Sequence, residues 1–178
     1  LGGVIVSEKI AKFFDDNVLM CGLTYNAHPL ACAAGCATID VYEEEKLVEN
    51  SKKMGVILGQ KLEEVKKKHS SVGDVRYIGL FSAVELVKDK ETREALVPYG
   101  KDPDGIMPKI VGMLKKAGFS TYSHESCLMI APPLIIKEEE LEEAMDIFDK
   151  VMYSIDEFVE KLKNKRPFCG RIGHSKIN

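Results

Sequence analysis

The alternation of apolar and polar residues along the chain predicts a series of helices separated by short extended segments. In five stretches apolar residues recur every three or four positions, which is the spacing of an amphipathic helix. These stretches cover residues 8–14, 30–42, 47–68, 106–117 and 141–162. The second stretch is rich in alanine and apolar on nearly every side, so we expect it to lie deep in a protein core.

Between these helices the apolar spacing changes to every second residue, as in a half-buried strand. The segments that we predict as strands cover residues 3–7, 80–87, 119–122 and 127–131. Pro132 and Pro133 then end the pairing of the last strand. This order of elements predicts an α/β architecture in which a small sheet is covered by amphipathic helices.

Composition excludes several classes of protein without pointing to one activity. The chain has 178 residues, a formal net charge of −3, 45% hydrophobic residues and 30% charged residues, as in ordinary globular proteins. Its slight acidity argues against nucleic acid as a partner. No apolar run approaches the ~18–20 residues of a membrane span, so we also expect no membrane partner.

The five cysteines are dispersed and odd in number, which argues against a disulfide framework and favours a reducing compartment such as the cytoplasm. Cys32 and Cys36 share a helix face, and His28 lies four residues before Cys32. A metal site is one interpretation of this spacing. We favour the other, in which both cysteines are small buried hydrophobic residues and the chain has no metal site.

Signatures of common catalytic sites are missing, but one turn has unusual chemistry. Residues 22–29 (GLTYNAHP) lead into the alanine-rich helix, and Pro29 suits its first position. Free backbone N–H groups and the helix dipole make such a turn an anion site that fits a phosphate, and Thr24 would add a hydroxyl donor. The alternative is that Thr24 or Asn26 merely caps the helix. The residues alone leave both open.

Four segments together resemble the class III aminotransferases, which are pyridoxal-phosphate (PLP) enzymes of fold type I. Residues 1–7 look like the stretch that follows the family's cofactor-binding lysine, and residues 22–30 resemble its G-x-T-Y-x-x-H-P-L segment. Residues 75–86 resemble the strand R-x-x-G-L…E-L, and residues 128–139 resemble the ending APPLIIT-x-EE. Each segment alone is weak, whereas their common order makes the match specific.

The resemblance implies the C-terminal part of a fold type I PLP-dependent transferase. Residues 1–45 would end the large PLP-binding domain, residues 46–163 would form an α+β small domain, and residues 164–178 would be a mobile tail. The family also implies a homodimer with a shared active site, in which Thr24 donates to the PLP phosphate held by the partner. The catalytic lysine would precede Leu1, so we expect this chain to contain no catalytic residue and to be inactive alone.

Two positions depart from the family pattern. Many members carry an arginine three residues before the paired prolines, where a bidentate guanidinium holds a substrate carboxylate, but this sequence has Met129 there. Lys137 replaces the threonine that usually precedes the paired glutamates. This change removes a helix N-cap and should slightly loosen the last helix.

The segment around these departures suggests a substrate class. Residues 121–125 (TYSHE) look most like the branch that moves an amino group from ω-amino compounds, including taurine, to pyruvate. We therefore expect a small-molecule amine donor, a keto-acid acceptor and a ping-pong mechanism. Tyr122, His124 and Met129 are candidate pocket residues, and exposed turn positions are the alternative for Tyr122 and His124. Two other possibilities stay open, a standalone binding or assembly module and the product of a damaged gene.

Overall fold

The computed structural model describes residues 1–164 as two compact units. The first unit runs from Leu1 to Leu47, and the second begins at Val48. The predicted mobile tail lies outside the described residues from residue 165 onward. Among residues 1–164, no helix combines the length and apolar character needed to cross a membrane. The assignment of the two units to a large and a small domain stays a prediction.

The first unit contains two helices, α1 (Glu8–Asp16) and α2 (Pro29–Glu44), and both predicted helices are confirmed. The strand predicted over residues 3–7 is wrong, because these residues are exposed and have no regular structure. A strand needs a neighbour to satisfy its backbone N–H and C=O groups. The described part of this unit contains no second strand that would supply them.

The predicted burial of α2 is also wrong in this structure, although its helical conformation is correct. None of its residues is buried, and Cys32 and Cys36 are exposed rather than packed as small hydrophobic residues. A helix that is apolar on nearly every side needs neighbours on every side. The unit of 47 residues contains too little chain to surround it.

The second unit combines three helices with an antiparallel sheet of order β1-β2-β5-β4, and short β3 pairs with β2. The elements in chain order are α3 (Leu47–Lys68), β1 (Val72–Ile78), β2 (Phe81–Asp89), β3 (Glu94–Ala95), α4 (Ile106–Lys116), β4 (Tyr122–His124), β5 (Cys127–Ile130) and α5 (Glu138–Asn164). This arrangement confirms the mixed α/β class and the predicted helices α3, α4 and α5. The order of the strands places β5 in the middle of the sheet, between β2 and β4.

One face of the sheet forms the floor of the hydrophobic core. Val75, Val84 and Leu128 are directly paired across β1, β2 and β5, and all three are buried. The helices cover this floor with fully buried side chains. These include Leu58 and Leu62 of α3, Ile110 and Leu114 of α4, and Phe148, Met152 and Ile155 of α5.

Two strands differ from the sequence prediction. The apolar pattern did not predict β1, because its segment VGDVRYI buries only Val72 and Val75 and has no sustained alternation, and only the family resemblance indicated a strand from residue 75. β4 begins at Tyr122, three residues later than predicted. Phe119, where the predicted strand began, is buried instead against Phe148, with their ring centroids 5.1 Å apart.

Close contact between α3 and the β1–β2 turn sets the position of the hairpin. A Cβ atom added at Gly55 would lie 2.6 Å from backbone atoms of Gly79, so only glycine permits this approach. Gly79 itself adopts a φ of 53° in the turn. Side chains larger than hydrogen at position 55 would therefore push the hairpin away from the helix.

A buried histidine ties the corner between α3 and β1 to the last helix. His69 is fully buried, and its Nδ1 and Nε2 lie 2.7 Å and 3.2 Å from carboxylate oxygens of Asp156 and Asp149. Ser71 donates to Asp156 from both its backbone N–H and its hydroxyl. The ring of Tyr153 packs edge-on against the imidazole with centroids 4.6 Å apart. We call these five residues the His69 cluster.

Asp149 makes the contribution of the His69 cluster to stability depend on pH. Burial alone raises the pKa of its carboxyl, but hydrogen bonds from His69 and Lys68 outweigh burial and hold the pKa below its ordinary value. Folding therefore favours the carboxylate form. Its contribution to stability is present above the pKa of Asp149 in the unfolded chain and is lost as the pH falls through the lowered value.

We expect Asp149→Asn to lower the free energy of unfolding at pH 7 by about 1–3 kcal/mol, because His69 and Lys68 lose a charged partner. The variant should also lose less of its remaining stability between about pH 5 and pH 2 than the parent chain does. Urea unfolding at several pH values measures both effects. Asp146→Asn changes an exposed aspartate of the same helix and is the control. Identical acid profiles for the parent chain and Asp149→Asn would contradict the assignment.

The beginning of α5 retains half of a capping box despite the lysine. The backbone N–H of Lys137 donates to the carboxylate of Glu140 at 2.9 Å, and Leu141 donates back to the Lys137 carbonyl at 3.0 Å. The other half requires a side-chain acceptor at position 137, which lysine does not possess. The first turn of α5 is therefore capped from one side only.

Lys137→Thr should complete this cap and raise the free energy of unfolding by about 1 kcal/mol. Lys137→Ala is the matched control, because it removes the same charge without adding an acceptor, and it should differ from the parent by a few tenths of a kcal/mol at most. Thermal and urea unfolding of both variants measure the difference. Equal stabilisation by alanine and threonine would exclude capping as the cause.

Candidate functional site

The turn that carries Thr24 lies in the first unit, immediately before α2. Residues 24–27 form the turn, and it is closed by a backbone hydrogen bond of 2.9 Å from Asn26 to Leu23. Ala27 adopts a φ of 53°, a left-handed conformation that is uncommon outside glycine. The side chain of Thr24 is exposed and has no hydrogen-bond partner among the described residues.

The first turn of α2 leaves its backbone donors for an anion. His28 occupies the N-cap position without making a side-chain cap, so neither Thr24 nor Asn26 plays the capping role that the sequence left open. Pro29 has no N–H, and the N–H groups of the next residues lack an intrahelical acceptor. A helix start with uncapped donors and a nearby hydroxyl has the chemistry of a phosphate contact.

The second unit brings the three candidate pocket residues onto one surface. Tyr122 and Met129 are directly opposite each other on β4 and β5, and His124 is opposite Cys127 on the same two strands. Directly paired residues, and residues two apart along a strand, point to the same side of a sheet. Tyr122, His124 and Met129 therefore share the face opposite the core, which we call the outer face.

The same pairing continues across the sheet to an arginine that the sequence analysis did not select. Met129 is opposite Ala83 on β2, and Ala83 is opposite Arg76 on β1. Tyr122, Met129, Ala83 and Arg76 thus form one row across the outer face. His124, Cys127, Glu85 and Asp74 form the adjacent row.

Arg76 reaches across the outer face from β1 toward β5. Its Nη1 donates to Glu85 at 2.7 Å and to Asp74 at 3.1 Å, and its Nη2 lies 3.6 Å from the sulfur of Cys127. Lys66 donates to the other oxygen of Asp74 at 2.8 Å. The result is a charge-balanced chain of two cations and two carboxylates, in which Arg76 is the cation that reaches the strand of Met129.

The pKa directions agree with this network. The hydrogen bond from Lys66 is the largest influence on Asp74 and lowers the pKa of its carboxyl. Burial raises the pKa of the Cys127 thiol, and the neighbouring Arg76 guanidinium opposes that shift only in part. Cys127 therefore faces Arg76 as a neutral thiol, which is a weak hydrogen-bond acceptor.

Sequence reasoning selected Thr24 through turn chemistry and did not select Arg76 or the His69 cluster. Arg76 is the arginine of the R-x-x-G-L segment, but the apolar pattern did not predict its strand, so its face was undefined before the register was known. The signal for the cluster was the spacing of Asp149 and Asp156, which lie seven residues apart and so share a face of α5 opposite His69. Among residues 1–164, no group of His, Cys, Asp or Glu is arranged to hold a metal ion.

Comparison with known proteins gives a consistent family. The family model described as aminotransferase class-III matches residues 1–152. An uncharacterized aminotransferase of Schizosaccharomyces pombe is 34% identical over 161 residues, which cover 86% of this chain and 35% of that protein. Putrescine–pyruvate aminotransferase of Pseudomonas aeruginosa is 30% identical over 85% of this chain and 32% of its own length.

A solved structure agrees in fold as well as in sequence. Taurine:2-oxoglutarate aminotransferase from Bifidobacterium kashiwanohense, in complex with PLP and glutamate, has a TM-score of 0.82 and 47% sequence identity. The match covers 86% of this chain and 34% of that protein. The chain therefore spans about one third of the length of the relatives that it matches.

Proposed function

Because this chain belongs to the class III aminotransferases, for which PLP is the expected cofactor, we propose that it forms the C-terminal part of an enzyme that transfers amino groups. The amino group would pass from an amine donor to a keto acid in a ping-pong reaction. The single observation that supports this most strongly is the family match over residues 1–152. The catalytic lysine would lie in the other part of the enzyme, so this chain alone would be inactive.

The residues around Thr24 fit one contact to the cofactor phosphate. Thr24 offers a hydroxyl that has no hydrogen-bond partner within residues 1–164, and the uncapped start of α2 offers backbone N–H groups. When bound, PLP would withdraw electrons from the carbon that carries the amino group. The part of this chain would be to hold the phosphate, and the exposure of the turn suits a site completed by the partner subunit of a homodimer.

The donor that we propose is an ω-amino compound, with taurine as the leading candidate, and the acceptor is pyruvate. Tyr122, His124 and Met129 would line the substrate side of the outer face. Met129 has no charged group that could hold a carboxylate, which favours pyruvate over an acceptor with two carboxylates. The relative named for taurine and 2-oxoglutarate, at 47% identity, favours 2-oxoglutarate as a second candidate acceptor.

The proposed reaction is tested with the complete protein that carries this sequence, loaded with PLP. We expect alanine to form from taurine and pyruvate, detected by chromatography, with a parallel reaction that contains 2-oxoglutarate and is analysed for glutamate. Glutamate formed faster than alanine would favour the second acceptor. No amino-acid product from any amine with either keto acid would contradict the proposed function.

Thr24→Ala should weaken PLP binding by about ten-fold, because a hydrogen bond to a charged phosphate is lost. Thr24→Ser retains the hydroxyl and should restore most of the affinity. Thr38→Ala is the control, since the hydroxyl of Thr38 donates to the carbonyl of Ala34 within α2. Pyridoxal, which lacks the phosphate, should bind the parent and Thr24→Ala equally. An equal loss of affinity for PLP and pyridoxal would contradict a phosphate contact.

A further inference from the structure

The hydrogen-bonding capacity of Arg76 is only partly used by the described residues. A guanidinium has five N–H donors, and Nη1 uses its two on Asp74 and Glu85. Nη2 has only the sulfur of Cys127, at 3.6 Å and with weak acceptor strength. More than half of the Arg76 side chain is exposed, at 53%. An edge of the guanidinium is therefore accessible to a ligand.

The position of the accessible guanidinium edge on the outer face also indicates which ligand it could bind. Cys127 belongs to β5, two strands away from β1, so the Arg76 side chain extends over β2 to reach it. Met129 lies two residues beyond Cys127 on the same strand and the same face, and Tyr122 is opposite Met129. The Arg76 guanidinium contacts the row that contains Cys127, Glu85 and Asp74, so its free donors lie on the outer face one row away from these two side chains.

Resting on the proposed function, we propose that Arg76 binds the acid group at the end of the substrate that is distant from its reacting carbon. The ligand chemistry is an oxyanion with paired oxygens, either the sulfonate of an ω-amino sulfonate or the distal carboxylate of a keto diacid. Met129 then contacts the methylene chain between the two ends. Arginine is suited to this role because its planar fork binds two oxygens of one group.

Glu85 tunes this site through charge. Its carboxylate holds Arg76 in place at 2.7 Å but also repels an incoming anion. Asp74 is shared with Lys66, so the remaining charge on this pair of strands depends mainly on Arg76 and Glu85. Neutralising Glu85 should therefore tighten anion binding, and neutralising Arg76 should weaken it.

The first test is a titration of this chain in the absence of cofactor. The probe is ethanesulfonate or propionate. Side-chain 15N–1H resonances of arginine are followed during the titration at constant ionic strength. We expect saturable shifts of the Arg76 signals, tighter binding in Glu85→Gln, and a loss of about ten-fold or more in Arg76→Gln. Arg93→Gln, which changes another exposed arginine, is the control. Affinity that is unchanged in both Arg76→Gln and Glu85→Gln would overturn the proposal.

The second test separates this site from the proposed function by kinetics of the complete protein loaded with PLP. Arg76→Gln should raise the KM for taurine and for 2-oxoglutarate about ten-fold, because each has a distal acid group. The KM for 1-aminopropane and for pyruvate, which lack that group, should stay within about two-fold. Equal increases for all four compounds would refute the role of Arg76 and leave the proposed function intact. Absence of all turnover in the parent protein would refute the proposed function, and the titration would still decide the role of Arg76.

Discussion

The two-sided nature of the antiparallel sheet is the constraint on which the rest of the second unit depends. Alternate residues of a strand must point to opposite faces, and one face is committed to the core by Val75, Val84 and Leu128. The residues that alternate with these three along the strands must therefore point to the other face of the sheet. Burial of the apolar rows by α3, α4 and α5 therefore places Arg76, Met129 and Tyr122 together on the outer face, although they are distant in sequence.

A different constraint, the position of α5 along its own axis, explains why the His69 cluster is polar although it is buried. α5 crosses the core with an apolar stripe, and such a stripe alone permits small shifts of a helix along its axis. Asp149 and Asp156 bind the two ring nitrogens of His69, so α5 is fixed against the corner between α3 and β1. The hydrogen bonds from Ser71 satisfy the other oxygen of Asp156, which limits the cost of burying its charge.

The accuracy of the sequence analysis followed from how local each signal was. The apolar stripes of α3, α4 and α5 are local signals, and the structure confirms those helices. The strand at residues 3–7 and the burial of α2 depended on neighbours, and there the prediction was wrong for the described chain. Thr24 could be selected from sequence because turn chemistry is local, and its role stays a prediction. Arg76 was missed because only the strand register shows which face it shares.

Strand register also changes the meaning of Met129. The sequence alone indicates that methionine at position 129 leaves no guanidinium there to hold an acid group. In the structure, however, Arg76 lies on β1, two strands away from β5, which is about 10 Å at ordinary strand spacing. Its side chain crosses most of that distance to reach Cys127. A guanidinium is therefore still present at this face, but it approaches from the side and is paired with Glu85. The proposed role of Arg76 therefore favours a substrate whose acid group lies beyond a short methylene chain, because the fork of Arg76 is displaced from Met129 rather than located at it.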